Sequence, residues 1–139
     1  MHYLIIEDDA AIRNILKEVF DLLETDGKFT FFRDGNEAWS WLDRVATGEI
    51  TELPEIAFVD IRMPGPQGYE IAERMRKMPP LSNIGIILMT AYELSAEEYQ
   101  DIMQRSQADR YISKPLPGVK GLNQMVEEIM AMRHSIAKK

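Results

Sequence analysis

Short apolar runs alternate with longer amphipathic stretches along this chain, and this alternation restricts its fold more than any other feature. The runs lack an apolar-polar alternation, which is typical of parallel strands that are buried on both faces. Strands are predicted near 2–7, 28–33, 55–60, 84–90 and 109–113. Five strands in strict alternation with five helices predict a doubly wound α/β domain, a (βα)5 parallel sheet with right-handed crossovers.

The stretches between the runs have helical periodicity and helix-capping signals. Asp34 with Glu37 and Ser95 with Glu98 have the spacing of a capping box at a helix start. The proline pair 79–80 closes the third helix. Two apolar stripes are predicted to face the core, one formed by Ile12, Ile15, Leu16, Val19 and Leu23 and one formed by Leu122, Met125, Val126, Ile129 and Met132.

Composition excludes several classes of protein. A chain of 139 residues is one domain by length. Its net charge of −7 argues against a nonspecific DNA-binding surface or an anchor to anionic membranes, both of which need clustered Lys and Arg. The chain has no Cys, so disulfides and thiolate metal sites are absent. No signal peptide and no apolar run of membrane-spanning length are visible, and a cytoplasmic domain is expected.

Residues suited to phosphate or metal chemistry follow four of the predicted strands. Glu7, Asp8 and Asp9 follow the first, Asp60 ends the third, Thr90 ends the fourth, and Lys114 with Pro115 follows the fifth. Taken singly, such residues also serve as a helix cap, a turn, a strand residue and a solvated lysine. In a parallel sheet, however, the carboxyl ends of neighbouring strands meet at one edge, where ligands bind. Carboxylates crowded there repel one another, and a hard divalent cation relieves the repulsion.

Together and in this order, these residues resemble the receiver domain of two-component response regulators over nearly the whole chain. The matching segments are 4–8, 34–35, 37–38, 60–65 with Gly68, 90–91 and 114–115. The resemblance implies a flavodoxin-like fold with strand order 2-1-3-4-5. It also implies a receiver domain over residues 1–134, followed by a frayed tail over residues 135–139.

The resemblance further implies a phosphoacceptor and a metal site. Asp60 is the nucleophile that accepts a phosphoryl group. Glu7, Asp8, Asp60 and the backbone carbonyl of Arg62 bind Mg²⁺ or Mn²⁺. Asp9 lies one residue beyond the acidic pair and is predicted to cap the first helix instead. The Arg62 side chain is expected to point outward, free, near the mouth of the phosphate site.

Three further residues complete the switch that the resemblance implies. The Thr90 hydroxyl hydrogen-bonds a phosphoryl oxygen, and the Lys114 ammonium faces the phosphate through a cis bond to Pro115. After phosphorylation Thr90 moves toward the phosphate and Tyr111 turns inward to fill the vacated space. The surface that changes consists of the fourth helix, the fifth strand and the fifth helix.

The partners follow from the same resemblance. The phosphoryl group comes from the phosphohistidine of a sensor histidine kinase or a phosphotransfer protein. The output passes to a downstream protein or to a second copy of the chain. The domain is expected to act as a switch and not as an enzyme, since it catalyses only its own phosphorylation and dephosphorylation. Direct binding to nucleic acid or to a membrane is not expected.

Competing functions fit the sequence less well. A flavodoxin-like cofactor protein needs a Ser-, Thr- or Gly-rich phosphate loop where Glu7 and Asp8 stand. An aspartate-based phosphatase needs a second acid two residues after its nucleophile, and Arg62 occupies that position. A non-phosphorylated interaction module remains as the alternative, although it has no need for the acids, Thr90 and Lys114 together.

Four positions depart from the family pattern or are ambiguous. Gln107 stands where family members often have Gly, so it either adopts a left-handed conformation or ends its helix differently. Trp41 lies off the apolar face of its helix, and either the loop 47–53 covers it or it forms an exposed contact. Bulk at Arg62 and Tyr92, beside the phosphate, suggests a phosphorylated state that is shielded from water.

Overall fold

A computed structural model describes residues 1–24 and 26–138 and confirms the predicted α/β fold. The strands are β1 (His2–Ile6), β2 (Lys28–Phe32), β3 (Ile56–Asp60), β4 (Gly85–Thr90) and β5 (Arg110–Ser113). The helices are α1 (Ala10–Leu23), α2 (Gly35–Ala46), α3 (Gly68–Lys77), α4 (Ala96–Ser106) and α5 (Val119–Ala137). All strands pair in parallel in the order β2-β1-β3-β4-β5, so the reversal in strand order lies between β1 and β3.

The sheet separates two apolar layers. On one face α1 and α5 contribute their buried residues to a core that includes Phe20 and Phe58, with ring centroids 5.5 Å apart. On the other face α2, α3 and α4 cover the sheet. Strands β1, β3 and β4 are almost wholly buried, which is why their sequences are continuous apolar runs.

The predicted helix stripes are partly right. Leu16 and Val19 of α1 are buried, but Ile15 and Leu23 are exposed and the buried Phe20 was missed. The inward face of α1 is therefore rotated slightly from the predicted one. In α5, Leu122, Val126 and Ile129 are buried as predicted, whereas Met132 is exposed.

The predicted caps hold the helix starts. Asp9 is the N-cap of α1, and its carboxylate accepts the Ala11 N–H at 2.8 Å. Ser95 and Glu98 form the reciprocal capping box of α4. At α2 only half of the box forms, because the Glu37 carboxylate accepts the N–H of Arg33 and not that of the N-cap.

The structure decides the ambiguous positions. Gln107 takes the left-handed conformation, with φ 51° and ψ 37°. Trp41 is buried against Phe32, and Ile50 of the loop 47–53 packs against the same apolar layer. Within the tail predicted over 135–139, α5 extends through Ala137, and Lys139 lies outside the described residues. Among the described helices, none is long and apolar enough to cross a bilayer.

Candidate functional site

The acidic residues predicted to share a site meet at the carboxyl edge of the sheet. The pairing of Ile6 with Val59 brings the ends of β1 and β3 level with each other. As a result one carboxylate oxygen each of Glu7, Asp8 and Asp60 lies within 4.8 Å of the other two. Glu7 and Asp60 are buried, whereas Asp8 is exposed and faces solvent at the rim.

Lys114 supplies the positive charge of this cluster from the far side. The Lys114 ammonium donates a hydrogen bond to Glu7 Oε1, and it lies 3.7 Å from Asp60 Oδ1. The Lys114 backbone N–H also donates to the Thr90 carbonyl at 2.8 Å, which ties the end of β5 to the end of β4. The bond between Lys114 and Pro115 is cis.

Charge in the cluster is unbalanced. Three carboxylates surround one ammonium, and Glu7 Oε2 is buried without a hydrogen-bond partner among the described residues. Burial raises the pKa of Asp60 to about 8. The neighbouring Glu7 carboxylate adds to this shift, because it accepts a hydrogen bond from protonated Asp60 and repels the ionised form, although Lys114 opposes the shift. Burial lowers the pKa of Lys114, but the hydrogen bond to Glu7 and the charge of Asp60 outweigh it and raise that pKa.

This donor set fits a hard divalent cation. The acids offer oxygen ligands in a small group, and one buried oxygen of Glu7 has no other partner among the described residues. Oxygen-only sites with few carboxylates suit ions such as Mg²⁺, which keeps several of its waters. A cation would also offset the charge of Glu7, which, after burial, contributes to the raised pKa of Asp60.

The start of α3 closes tightly over the end of β3. A Cβ atom added to Gly68 would lie 2.1 Å from the Asp60 carbonyl oxygen, so no larger residue fits there without a shift of the backbone. The Gly68 N–H donates to the Ile61 carbonyl at 2.8 Å. This glycine is therefore required for the close approach that holds Asp60 at the edge of the sheet.

Thr90 and Tyr111 lie on the two strands next to the cluster. Thr90 is fully buried, and its hydroxyl accepts the Tyr92 N–H at 3.1 Å. Tyr111 is half-buried, and its ring meets the Tyr99 ring of α4 edge-on at 5.3 Å between centroids. Tyr99 was not predicted from the sequence, because only the tertiary packing of α4 brings it to β5.

The Arg62 side chain is exposed, as predicted, but it is not free. Its guanidinium lies over the Tyr92 ring, 4.8 Å from the centroid, and 3.8 Å from a carboxylate oxygen of Glu98. The sequence placed Arg62 and Tyr92 beside the site but did not reveal Glu98 as a neighbour. The capping box placed Glu98 in the first turn of α4. Which residues this turn faces, however, depends on how α4 packs on the rest of the fold.

Comparison with protein families identifies the same kind of domain as the resemblance noted from the sequence. The model of the response regulator receiver domain matches residues 3–127. Among curated proteins, sporulation initiation phosphotransferase F of Bacillus subtilis is 38% identical over 90 residues, which are 64% of this chain and 63% of that protein.

Solved structures share the fold. A CheY-like response regulator receiver domain protein from Methanospirillum hungatei JF-1 has a TM-score of 0.75 at 24% identity, and the match covers 96% of each chain. The Mn²⁺-bound form of response regulator Rcp1 has a TM-score of 0.69 at 20% identity, with 94% of this chain and 90% of that chain covered. At these identities the likeness concerns the fold.

Proposed function

This chain belongs to the response regulator receiver domain family, and on that premise we propose that Asp60 is the phosphoacceptor of a two-component phosphorelay. The observation that carries this proposal is the meeting of Glu7, Asp8, Asp60 and Lys114 at the carboxyl edge of the sheet. That edge lies at the reversal of strand order, where open α/β sheets bind their ligands.

The proposed reaction is a phosphoryl transfer from a phosphohistidine. A carboxylate oxygen of Asp60 attacks phosphorus, the N–P bond breaks, and an O–P bond forms to give an acyl phosphate on Asp60. The imidazole leaves with the electron pair of the broken bond and keeps a proton on one nitrogen. Lys114, already 3.7 Å from Asp60, stabilises the negative charge on the phosphoryl oxygens.

A divalent cation supplies further charge neutralisation when it is bound. Glu7, Asp8, Asp60 and the backbone carbonyl of Arg62 are the proposed ligands, and Mg²⁺ is the proposed ion, with Mn²⁺ as a substitute. The oxygen donor set supports a hard ion. The Mn²⁺ named for the related Rcp1 structure is in keeping with this choice.

The proposed output is a change on the surface formed by α4, β5 and α5. The Thr90 hydroxyl, whose oxygen accepts the Tyr92 N–H, donates its proton to a phosphoryl oxygen, and Tyr111 turns inward. Since the Tyr111 ring contacts Tyr99, this rotation alters the packing of β5 against α4.

The proposed partners follow from this role. A sensor histidine kinase or a phosphotransfer protein donates the phosphoryl group in the cytoplasm, and a downstream protein or a second copy of the chain binds the changed surface. The domain catalyses only its own phosphorylation and dephosphorylation. Binding to nucleic acid or to a membrane surface is not part of the proposal, and the net charge of −7 disfavours both.

The test is incubation with acetyl phosphate, with and without Mg²⁺, followed by intact mass measurement. The wild-type chain gains one acid-stable, hydroxylamine-labile phosphoryl group only with Mg²⁺, and Asp60→Asn gains none. Asp9→Asn is the matched control, because Asn caps a helix as well as Asp and this residue lies outside the proposed ligand set. Wild-type protein that stays unmodified and shows no affinity for Mg²⁺ is instead a non-phosphorylated interaction module.

A further inference from the structure

A continuous line of contacts runs from the buried end of β4 to the first turn of α4. The Thr90 hydroxyl accepts the Tyr92 N–H, and the Tyr92 ring lies under the Arg62 guanidinium. The same guanidinium lies 3.8 Å from Glu98 Oε2. The other oxygen, Glu98 Oε1, accepts the Ser95 N–H at 3.2 Å and so forms part of the α4 cap. A single carboxylate thus faces Arg62 with one oxygen and the helix start with the other.

Two weak contacts, with Glu98 and with the Tyr92 ring, position the Arg62 guanidinium. Both side chains of its ion pair with Glu98 are about half exposed, and exposed pairs of this kind are worth little. The stack on Tyr92 is also at an exposed position and adds a comparable amount. Arg62 lies two residues after Asp60, where a phosphoryl group places nearly two negative charges and three acceptor oxygens. A guanidinium prefers such a group to a single solvated carboxylate.

We propose that phosphorylation moves the Arg62 guanidinium from Glu98 to the phosphoryl group. The first turn of α4 then loses its contact with Arg62. The inference rests on the proposed phosphorylation of Asp60 and adds a second route from that site to α4, beside the one through Thr90 and Tyr111. In the unphosphorylated protein the Arg62 guanidinium contacts Glu98; in the phosphorylated protein it contacts the phosphoryl group.

The two routes reach different faces of the same helix, about 100° apart. Tyr99, which meets Tyr111, lies one residue after Glu98 and faces β5. Glu98 lines a cavity of about 390 Å³ between α3 and α4, together with Ile61, Arg62 and Asp101. Loss of the Arg62 contact therefore frees the side of α4 that Tyr111 does not touch.

The inference predicts a linkage that can be measured with beryllofluoride, an analogue of the phosphoryl group. A change at Glu98 that weakens its resting contact with Arg62, and leaves Arg62 and Asp60 in place, shifts the equilibrium toward the activated state. The suitable variant is Glu98→Gln, because Gln serves in a capping box as well as Glu and only the charge is lost. Its affinity for beryllofluoride in saturating Mg²⁺ is expected to be roughly two- to fivefold tighter than wild type at low salt. The titration is followed through the backbone amide resonances of residues 90–99.

Two controls separate the contact from a general loss of negative charge. Glu97→Gln makes the same charge change one residue away, on a side chain with no ion pair among the described residues, and it leaves the affinity unchanged. Arg62→Met removes the guanidinium but keeps a long side chain. In an Arg62→Met background the Glu98→Gln substitution has no further effect on affinity, because the contact that it weakens is already gone.

The outcomes distinguish failure of this inference from failure of the proposed function. If wild-type protein binds no beryllofluoride in Mg²⁺, the phosphoacceptor function itself is wrong. If wild-type protein binds it but Glu98→Gln has wild-type affinity, the contact carries no coupling and the inference is wrong. It is equally wrong if Glu97→Gln tightens binding as much, or if the Glu98→Gln effect persists without Arg62.

Discussion

Two buried ionic clusters lie at opposite ends of the same sheet, and they differ in how completely they are satisfied. At the carboxyl edge, Glu7, Asp8 and Asp60 share one ammonium, and one oxygen of Glu7 has no partner among the described residues. At the amino edge, the Asp109 carboxylate, at the start of β5, accepts from Arg76 at 3.1 Å and from Arg133 at 3.0 Å. It also accepts the Ile86 N–H at 2.9 Å.

The contrast separates a structural cluster from a reactive one. The Asp109 cluster joins α3, β4, β5 and α5, and Arg76 also donates to the backbone carbonyls of Ser82, Ile84 and Gln107. Both guanidiniums there pair with Asp109 and are hydrogen-bonded, although they share that one carboxylate, and burial followed by the charge of Arg133 lowers the pKa of Arg76 to about 10. The carboxyl edge instead keeps an excess of negative charge, at a cost in stability. Proteins retain such unfavourable crowding of like charges where a ligand or a reaction neutralises it.

The largest expected effects come from replacing one Asp by Asn in each cluster, which tests whether the two clusters differ in stability. Asp109→Asn leaves the largely buried Arg76 and the partly buried Arg133 without a counter-charge and is expected to cost about 3 kcal/mol of unfolding free energy. Asp60→Asn removes a crowded carboxylate and is expected to add about 1 kcal/mol in metal-free protein at about pH 9. Urea unfolding in the presence of a chelator measures both. Two changes of the same sign would show that the clusters are not different in kind.

The next effect is a pH dependence that belongs to the carboxyl edge alone. The pKa of Asp60 is raised above its value in the unfolded chain, so the folded state binds the extra proton and is favoured at low pH. That stability is complete below the unfolded pKa and is lost as pH rises through about 8. Metal-free protein should therefore lose up to about 1.4 kcal/mol per pH unit between about pH 5 and pH 7, and the slope falls away above about pH 8. Saturating Mg²⁺ is expected to flatten the profile, because the metal binds the ionised carboxylates.

A control is needed because a second group adds a slope of the same sign at higher pH. The hydrogen bond to Glu24 raises the pKa of the Met1 ammonium, so its contribution to stability is also lost at alkaline pH. Asp60→Asn removes the Asp60 contribution and leaves that of Met1. If thermal melts of Asp60→Asn keep the full wild-type slope between about pH 5 and pH 7, Asp60 does not carry the effect.

The contrast also explains how much of the molecule the sequence could reveal. The sheet and its reactive edge were predictable, because buried parallel strands are continuous apolar runs and their ends carry Asp60 and Lys114 in a recognisable order. The Asp109 cluster was not predicted. Arg76 and Arg133 lie on helices 57 residues apart in the chain, and nothing in their local sequence distinguishes them from solvated arginines. The Glu98 contact was missed for the same reason.

A smaller effect concerns the rim of the reactive edge. Arg62 and Tyr92 stack beside the site and are expected to shield an acyl phosphate on Asp60 from water. Tyr92→Ala should therefore speed loss of the phosphoryl group, on the order of tenfold or less, whereas Tyr92→Phe keeps the ring and the wild-type rate. Phosphate release after removal of acetyl phosphate measures both. A wild-type half-life of only seconds contradicts the shielding.

The smallest effect lies beside the satisfied cluster, at Gln107. This residue adopts a left-handed conformation that glycine tolerates without steric cost, and its backbone makes two contacts that any residue can make. Its N–H donates to the Met103 carbonyl at 2.9 Å, and its carbonyl accepts from Arg76 at 3.1 Å. Gln107→Gly preserves both and relieves the strain, but it also gives the unfolded chain more freedom, so the net gain is expected to be about 0.5 kcal/mol.

The matched variant is Gln107→Ala, which shortens the side chain and leaves the left-handed strain in place. Urea unfolding should show no gain for Ala. If Ala stabilises the protein as much as Gly, the Gln side chain is the cause and not the backbone. If Gly destabilises it, the left-handed turn costs less than the freedom that Gly adds to the unfolded chain. In that case the left-handed conformation of Gln107 adds little strain to the amino edge, and the unpartnered buried oxygen of Glu7 sets the Asp60 edge apart among the described residues.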